Sequence, residues 1–275
     1  MAAEIKGVKR GTPFVPRRCR VTLLTATYGS ARPCYLPPMS LSNTVSIVTG
    51  GSSGIGLATA RALASAGSRV ALCSRSAHNV RAAVAELATE GLTVTGEVCD
   101  VRDRKAVHDF FALIRRDLGP VDILVNNAGL AHFRPLQGLT DREIDDMLDI
   151  NVRGMFNITR AALVPMLEQG RGQIVNIASL AGRTGFAGGT AYSASKHAVL
   201  GFSRSLMLEV RDRGIRVIAI CPGSVATGFF ESAGMPLDNE DRILRPEDVA
   251  EAVLGCLTLP DRALISELDI RPSSP

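Results

Sequence analysis

Val45-Ser46-Ile47-Val48-Thr49-Gly50-Gly51-Ser52-Ser53-Gly54-Ile55-Gly56 is the stretch whose reading decides the fold. It opens with an apolar, β-branched run, the composition of a strand covered on both faces. A glycine cluster follows, and then a helix-like segment over 54–67. Glycines let a backbone turn tightly and approach a phosphate closely. The free N–H groups of the helix that follows would point at such an anion. A glycine-rich loop without a ligand is the plainer alternative; the strand before it and the helix after it weigh against that.

The alternation continues to the end of the chain. Further strands are expected at 70–74, 92–98, 121–126, 173–178, 215–221 and 265–270. Helices are expected at 77–90, 103–118, 191–213 and from Pro246 onward, with a long helical region over about 141–168 in which Gly154 is a candidate break. Strands that alternate with helices of this length imply βαβ units and a parallel sheet. The reading is one α/β, doubly wound (Rossmann) domain with seven parallel strands and helices on both faces, spanning 41–275. Ligands of such sheets lie beyond the carboxyl ends of the strands, so the chemistry should follow those ends.

The strand ends are polar or glycine-rich. The second ends Cys73-Ser74-Arg75, with no acid to bond a ribose 2′-hydroxyl. Arg75, aided by the Ser74 hydroxyl, suits a 2′-phosphate and so NADP over NAD; a surface Arg in a loop is the alternative. Asp100-Val101 follows the third strand and Asn126-Asn127-Ala128-Gly129 the fourth. Ser179 ends the fifth, and Pro222-Gly223 the sixth.

Composition narrows the function classes. The core is aliphatic, with no Trp and 4% aromatic residues. No apolar run approaches the ~18 residues that span a bilayer. Residues 1–40 hold seven Lys or Arg and one acid, a net of +6 in a chain of +4, so 41–275 carries about −2. The basic character belongs to this leader, and nucleic-acid binding is not expected. Arg-rich, acid-poor and interrupted by prolines, residues 1–38 read either as an organelle (for example mitochondrial) transit peptide or as an extension upstream of Met39. Without a transit peptide, a cytoplasmic location is expected. The six cysteines form no Cys-x-x-Cys pair, so free thiols are expected, with no metal site and no disulfide framework.

Tyr192-Ser193-Ala194-Ser195-Lys196 lies in the fifth expected helix, with Ser179 thirteen residues upstream. Tyr and Lys four apart share a helix face. A cation beside a phenol is expected to lower a pKa that otherwise lies near ~10. The pair could then move a proton to or from an oxygen, and a hydroxyl at Ser179 could polarise the same oxygen. Alone, the spacing arises often by chance.

Taken together, these residues resemble the short-chain dehydrogenase/reductase family over about 43–271. Thr49-Gly50-x-x-x-Gly54-x-Gly56 is similar to its cofactor loop, Asn126-Asn127-Ala128-Gly129 to its motif after the fourth strand, and Pro222-Gly223-x-x-x-Thr227 to its segment beside the nicotinamide. Asn151, Ser179, Tyr192 and Lys196 match its catalytic tetrad. The resemblance implies that Tyr192 is the acid or base at the carbonyl oxygen and that Ser179 polarises that oxygen. Lys196 would lower the Tyr192 pKa and hold the nicotinamide ribose, and Asn151 would hold a relay water. Gly50, Ser52, Ser53, Gly54, Ile55, Gly56, Ser74, Arg75, Asp100, Val101, Asn127, Ala128, Gly129, Pro222, Gly223, Val225 and Thr227 would line the NADP site with Tyr192 and Lys196.

The substrate reading is less defined. Phe229, Phe230, Met235 and Leu237 suggest an apolar cover that could exclude water, with Phe186 and His132 also near the pocket. A short helix packing its own aromatics is the alternative, and His132 reads as a loop residue. The expected substrate is a small carbonyl or alcohol contacted by Ser179, Phe186, Tyr192, Phe229 and Phe230. Near its end the chain reads Ser266-Glu267-Leu268-Asp269-Ile270-Arg271-Pro272, without the longer glycine-rich segment of many 3-oxoacyl-carrier-protein reductases. That departure weakens, without removing, a 3-oxoacyl-[acyl-carrier-protein] reductase reading. A cofactor-binding scaffold without turnover is a further alternative, although none of the four catalytic residues is missing. The resemblance also implies a homotetramer or homodimer, and Leu200, Phe202, Leu206 and Met207 look like surplus apolar residues for that contact.

Overall fold

The structure is a computed structural model, and it describes residues 41–235 and 242–273. The leader reading and Leu237 lie outside the described residues. Seven parallel strands form one sheet: β1 Val45–Thr49, β2 Arg69–Ser74, β3 Val94–Val98, β4 Ile123–Asn126, β5 Gly172–Ile177, β6 Ile215–Pro222 and β7 Glu267–Ile270. Their order is β3-β2-β1-β4-β5-β6-β7, so the chain reverses direction across the sheet between β1 and β4. That switch point opens a crevice above the carboxyl ends of both strands.

Two aliphatic layers hold the helices to the sheet. On one face α1 (Gly54–Ser65), α2 (Ala77–Thr89) and α8 (Pro246–Leu257) bury Leu63, Leu87 and Val253 over Val48 and Leu72. On the other, α3 (Arg104–Asp117), α5 (Met155–Gln169) and α6 (Thr190–Val210) bury Phe110, Ile158 and Leu206 over Ile47 and Leu124. Successive strand residues point to opposite faces, which is why the strands read as unbroken apolar runs. The expected helical region over 141–168 does not break at Gly154. Instead α4 (Asp141–Leu148) passes into α5 through a π-helical turn, Asp149–Gly154. Such wider turns frequently mark functional positions, and this one carries Asn151.

The contact face expected on α6 needs correction. Leu200 and Leu206 are buried, and Phe202 and Met207 pack against the core, because α6 lies against both the sheet and its neighbouring elements. The apolar side chains exposed on these helices are Leu208 at 59%, with Val164 at 59% and Phe156 at 44% on α5. Among the described residues no helix is long and apolar enough to cross a membrane, and no cluster of metal-ligating side chains occurs.

Candidate active site

The crevice at the switch point is a cleft of about 2020 Å³, well above the ~300–1,000 Å³ that suits one small ligand. It has room for a dinucleotide and a substrate together. Its first wall is the glycine loop. Gly50 has φ +63°, and a Cβ there would stand 2.9 Å from the Ala128 Cα. The Thr49 hydroxyl, buried beneath, accepts the backbone N–H groups of Asn127 and Ala128, each at 3.1 Å. Asn127 donates in turn to the carbonyls of Thr49 and Gly50, both at 3.1 Å. This stitching ties the β1 end to the β4 end before any ligand arrives.

The helix that starts at this loop is left open. Ser53, at the N-cap of α1, makes no side-chain cap, and the first turn holds no acid. By contrast, Ser76, Asp103 and Thr140 cap α2, α3 and α4 with their side chains. Unsatisfied N–H groups at a helix start make a ready anion site. Gly50, Ser52, Ser53, Gly54 and Ile55 line the cleft here. Gly56 lies outside this lining. A Cβ at Gly56 would collide with the Gly50 carbonyl oxygen and come within 2.5 Å of Asn127 Nδ2, so this glycine serves close packing of α1 on the loop.

Farther along, Ser74, Arg75, Asp100 and Val101 line the same cleft. Ser52 Oγ donates to Ser74 Oγ at 2.9 Å. Arg75 is exposed and has no ion-pair partner among the described residues. Asp100 is held by Arg102, whose guanidinium reaches it at 2.8 Å and Asp146 at 2.9 Å. That bonding holds the Asp100 carboxyl below its ordinary range. The cations around this end therefore include one that is neutralised and one that is free for an anionic ligand.

At the middle of the cleft Ser179, Tyr192 and Lys196 converge. Lys196 Nζ donates to the Ile177 carbonyl at 2.8 Å and lies 5.8 Å from the centre of the Tyr192 ring. Burial dominates both groups. It pushes the Tyr192 phenol up to about 12, against a hydrogen bond from Ser179 that pulls it down, and it pushes the Lys196 ammonium down to about 8. The sequence-based expectation that Lys196 lowers the phenol is thus not met by the protein groups alone: burial acts most strongly on the phenol, and what opposes it is the hydrogen bond with Ser179.

Asn151 lies behind this pair rather than in the cleft. Its Nδ2 donates to Leu130 O at 2.9 Å and to Ser195 Oγ at 3.0 Å, and its Oδ1 accepts from Leu130 N at 2.9 Å. Asn151 and Lys196 both border a small separate cavity of about 10 Å³.

The substrate end is aromatic. Phe186, Phe229 and Phe230 all line it, as does Met235, and α7 (Gly228–Ser232) carries the two adjacent phenylalanines. Phe133, which sequence reasoning missed, is their hub. Its ring centre stands 5.3 Å from Tyr192, 5.5 Å from Phe186, 6.3 Å from Phe229 and 5.8 Å from Phe230. His132 lies outside the lining, 3.6 Å from Glu143. Gly129, Pro222, Gly223, Val225 and Thr227 complete the cleft between the two ends, and Arg102, Arg242 and Arg271 are lining cations the motifs did not point to.

Residues 44–236 match the family model described as short chain dehydrogenase. The chain belongs to the short-chain dehydrogenase family. It is 45% identical over 185 residues to a ketoacyl reductase assigned to the monensin polyketide synthase of Streptomyces virginiae, covering 66% of this chain and 71% of that relative. Among solved structures, this short-chain dehydrogenase resembles a variant of actinorhodin polyketide ketoreductase with NADPH. That match has a TM-score of 0.77 and 35% identity over 83% of this chain and 96% of the other. It also resembles a metagenomic short-chain oxidoreductase in complex with NADP, with a TM-score of 0.75 and 35% identity over 86% and 100% of the two chains.

Proposed function

We propose that this short-chain dehydrogenase is an NADP(H)-dependent oxidoreductase that interconverts a carbonyl and a secondary alcohol. The observation that carries the reading is the convergence of Ser179, Tyr192 and Lys196 on a cleft whose other wall is an uncapped helix start behind a glycine loop. The cofactor fits that wall. Gly50 and Gly54 leave backbone free for close approach, and the N–H groups of α1 suit its pyrophosphate. Arg75 with Ser74 would take the 2′-phosphate, Asp100 and Val101 the adenine, and Asn127, Ala128 and Gly129 the span between. Lys196 would hold the nicotinamide ribose, beside Pro222, Gly223, Val225 and Thr227.

When held by these residues, NADPH would supply the hydride for the carbonyl carbon. The charge that develops on the carbonyl oxygen is met by two donors. Ser179 polarises the oxygen, and the Tyr192 hydroxyl gives it a proton. A phenol held protonated to about pH 12 by burial is in the right state to act as that acid. In the alcohol-oxidising direction the phenolate is required, and a ribose-bound ammonium at Lys196 would favour it. The Asn151 amide is consumed by Leu130 and Ser195, so its part is to fix the π-turn beside Lys196.

Phe133, Phe186, Phe229 and Phe230 would enclose the apolar part of the substrate. The ketoacyl reductase among the relatives and the solved polyketide ketoreductase favour a second reading, reduction of a 3-oxoacyl group on a carrier. The exposed Phe156, Val164 and Leu208 on α5 and α6 support assembly as a homodimer or homotetramer, which light scattering would test. The basic composition of residues 1–38 supports an organelle address as one option for location, testable by the mature N-terminus in cells.

The test is a panel of ketones, aldehydes and 3-oxoacyl thioesters assayed with NADPH and with NADH. NADPH oxidation with at least one carbonyl is expected. Tight NADPH binding with no oxidation across the panel would overturn the enzymatic reading.

A further inference from the structure

Two cysteines stand together at the carboxyl ends of β2 and β3. Cys73 is the last residue but one of β2, and Cys99 follows β3 directly. The strands pair in parallel with Cys73 level with Glu97 and Ser74 level with Val98, and Cys99 N bonds Ser74 O at 3.0 Å. Cys99 is thus two residues beyond the position opposite Cys73. Residues two apart in a strand share a face, and both thiols join the apolar layer that holds Ala71 and Val101. Among the described residues the other free cysteines, Cys221 and Cys256, belong to different clusters.

The two thiols are placed unequally. Cys99 lines the cleft beside Gly50, Asp100 and Val101, whereas Cys73 lies behind the lining. The Cys73 carbonyl accepts Gly51 N at 3.2 Å, which ties this residue to the glycine loop. A hydrogen bond between the thiols holds Cys99 below its ordinary range and, with burial, holds Cys73 well above it. A thiolate is the attacking form of a cysteine. The sulfur on the cleft side is therefore the better nucleophile, and a second thiol stands behind it. Cys99 is 1% exposed, so only a small reagent entering through the cleft can reach it.

We propose that Cys73 and Cys99 form an oxidisable dithiol that reacts with hydrogen peroxide, and that their disulfide closes the adenosine end of the cleft. The Cys99 thiolate attacks one peroxide oxygen. The O–O bond breaks, and the departing hydroxide takes the proton Cys99 had lost, giving a sulfenic acid and water. The Cys73 sulfur then attacks the Cys99 sulfur. The S–O bond breaks, and the Cys73 proton leaves with that oxygen as a second water. Two electrons pass from the thiols to the peroxide, and a dithiol reductant returns them. Strands about 4.8 Å apart with an offset of about 6.6 Å put the two Cα atoms roughly 8 Å apart. A disulfide needs about 4.4–6.8 Å. Closing the bond must therefore draw the end of β3 toward β2, and Asp100 and Val101 move with it. Those residues are the proposed adenine contacts, so the closure rests on the proposed NADP(H) site. A bond strained in this way is also readily reduced.

Peptide mapping of the wild-type protein after hydrogen peroxide tests the bond without turnover or cofactor. A cross-linked pair of peptides carrying Cys73 and Cys99, lost on adding dithiothreitol, is expected. Its absence at peroxide that already oxidises the exposed Met235 overturns the inference and leaves the proposed enzymatic function standing. Titration calorimetry reads the consequence. The oxidised protein should bind NADPH about tenfold more weakly, the scale of one lost hydrogen bond, and recover on reduction. Cross-linking at unchanged affinity overturns the closure. If the reduced protein binds no NADPH, the cofactor reading fails, and mapping still decides the disulfide. Saturating NADPH should slow cross-linking; equal rates with and without it would show that the nucleotide does not cover Cys99. Peroxide on Cys73→Ser should leave a Cys99 sulfenic acid, trapped by dimedone, and no cross-link. The NADPH affinity of Cys99→Ser should be the same before and after peroxide. A loss there equal to that of wild type places the effect elsewhere and overturns the proposal. If Cys73→Ser does not fold, wild-type mapping and Cys99→Ser decide.

Discussion

The two ends of the cleft are built in opposite ways. The glycine loop itself is built from consecutive residues of one strand-turn-helix unit, tied to the end of β4 through the buried Thr49 hydroxyl. The aromatic end is assembled from segments far apart in the chain. Phe133 reaches its place because its own N–H bonds Ala233 O at 2.9 Å and the next residue, Arg134, bonds Gly188 O at 2.9 Å. The first end is polar, rigid and open to an anion; the second is a collar of rings packed mostly edge to face. A fold can thus keep one half of its cleft for a shared cofactor and vary the other half by loop packing alone.

The sharpest way to break the comparison is to disturb the rigid half. Gly56→Ala places a Cβ against the Gly50 carbonyl, and overpacking of this kind costs about 1–3 kcal/mol. It should weaken NADPH binding roughly tenfold to a hundredfold and lower Tm; titration calorimetry that finds unchanged affinity would contradict the packing role. Arg75→Ala should raise the Kd for NADPH by about tenfold, as expected for a charge-assisted contact, and leave that for NADH nearly unchanged. Equal effects on both cofactors would remove Arg75 from the 2′-phosphate site.

In the other half, Phe133→Ala removes the hub of the ring cluster. It should leave the Kd for NADPH unaltered and change the ranking of ketones by kcat/KM several-fold, since each ring pair contributes about 0.5–1.5 kcal/mol. An unchanged ranking would make the collar a mere packing cluster. The smallest expected effect is on stability against pH. Burial lowers Lys196 from 10.5 to about 8, so the folded state binds fewer protons than the unfolded state between those values. Its contribution to stability should therefore rise with pH from about 8 to about 10.5, at no more than about 1.4 kcal/mol per pH unit. Tyr192, raised from 10.0 to about 12, acts oppositely above pH 10. Urea unfolding of Lys196→Met should lose the rise below pH 10; an unaltered curve would show that Lys196 is not its source.

Legibility in the sequence follows the same division. Strand and helix periodicity carried the seven-stranded order of elements, because each element is set by local pattern and two-faced burial. The glycine loop, Arg75 and Ser179 were legible because strand ends mark the crevice, and Tyr192 and Lys196 because a spacing of four puts them on one face of a helix. The packing of Gly56 against the Gly50 carbonyl was not legible, since sequence does not distinguish a glycine that faces a phosphate from one that faces a carbonyl. Asn151 was readable as a position but not as an amide fully engaged by Leu130 and Ser195. Phe133 and Arg102 left no periodic signal. Their places depend on hydrogen bonds and ion pairs to residues tens of positions away, such as Arg102 to Asp146.

The central claim is that Tyr192 moves a proton at a carbonyl in a site whose cofactor wall is independent of it. The most direct measurement takes one preparation of Tyr192→Phe and records both NADPH affinity and single-turnover reduction of the best carbonyl in the panel. The account expects affinity close to wild type and a rate lower by about 10²–10⁴-fold, the scale of a lost general acid. A rate within a few-fold of wild type at unchanged affinity would contradict it.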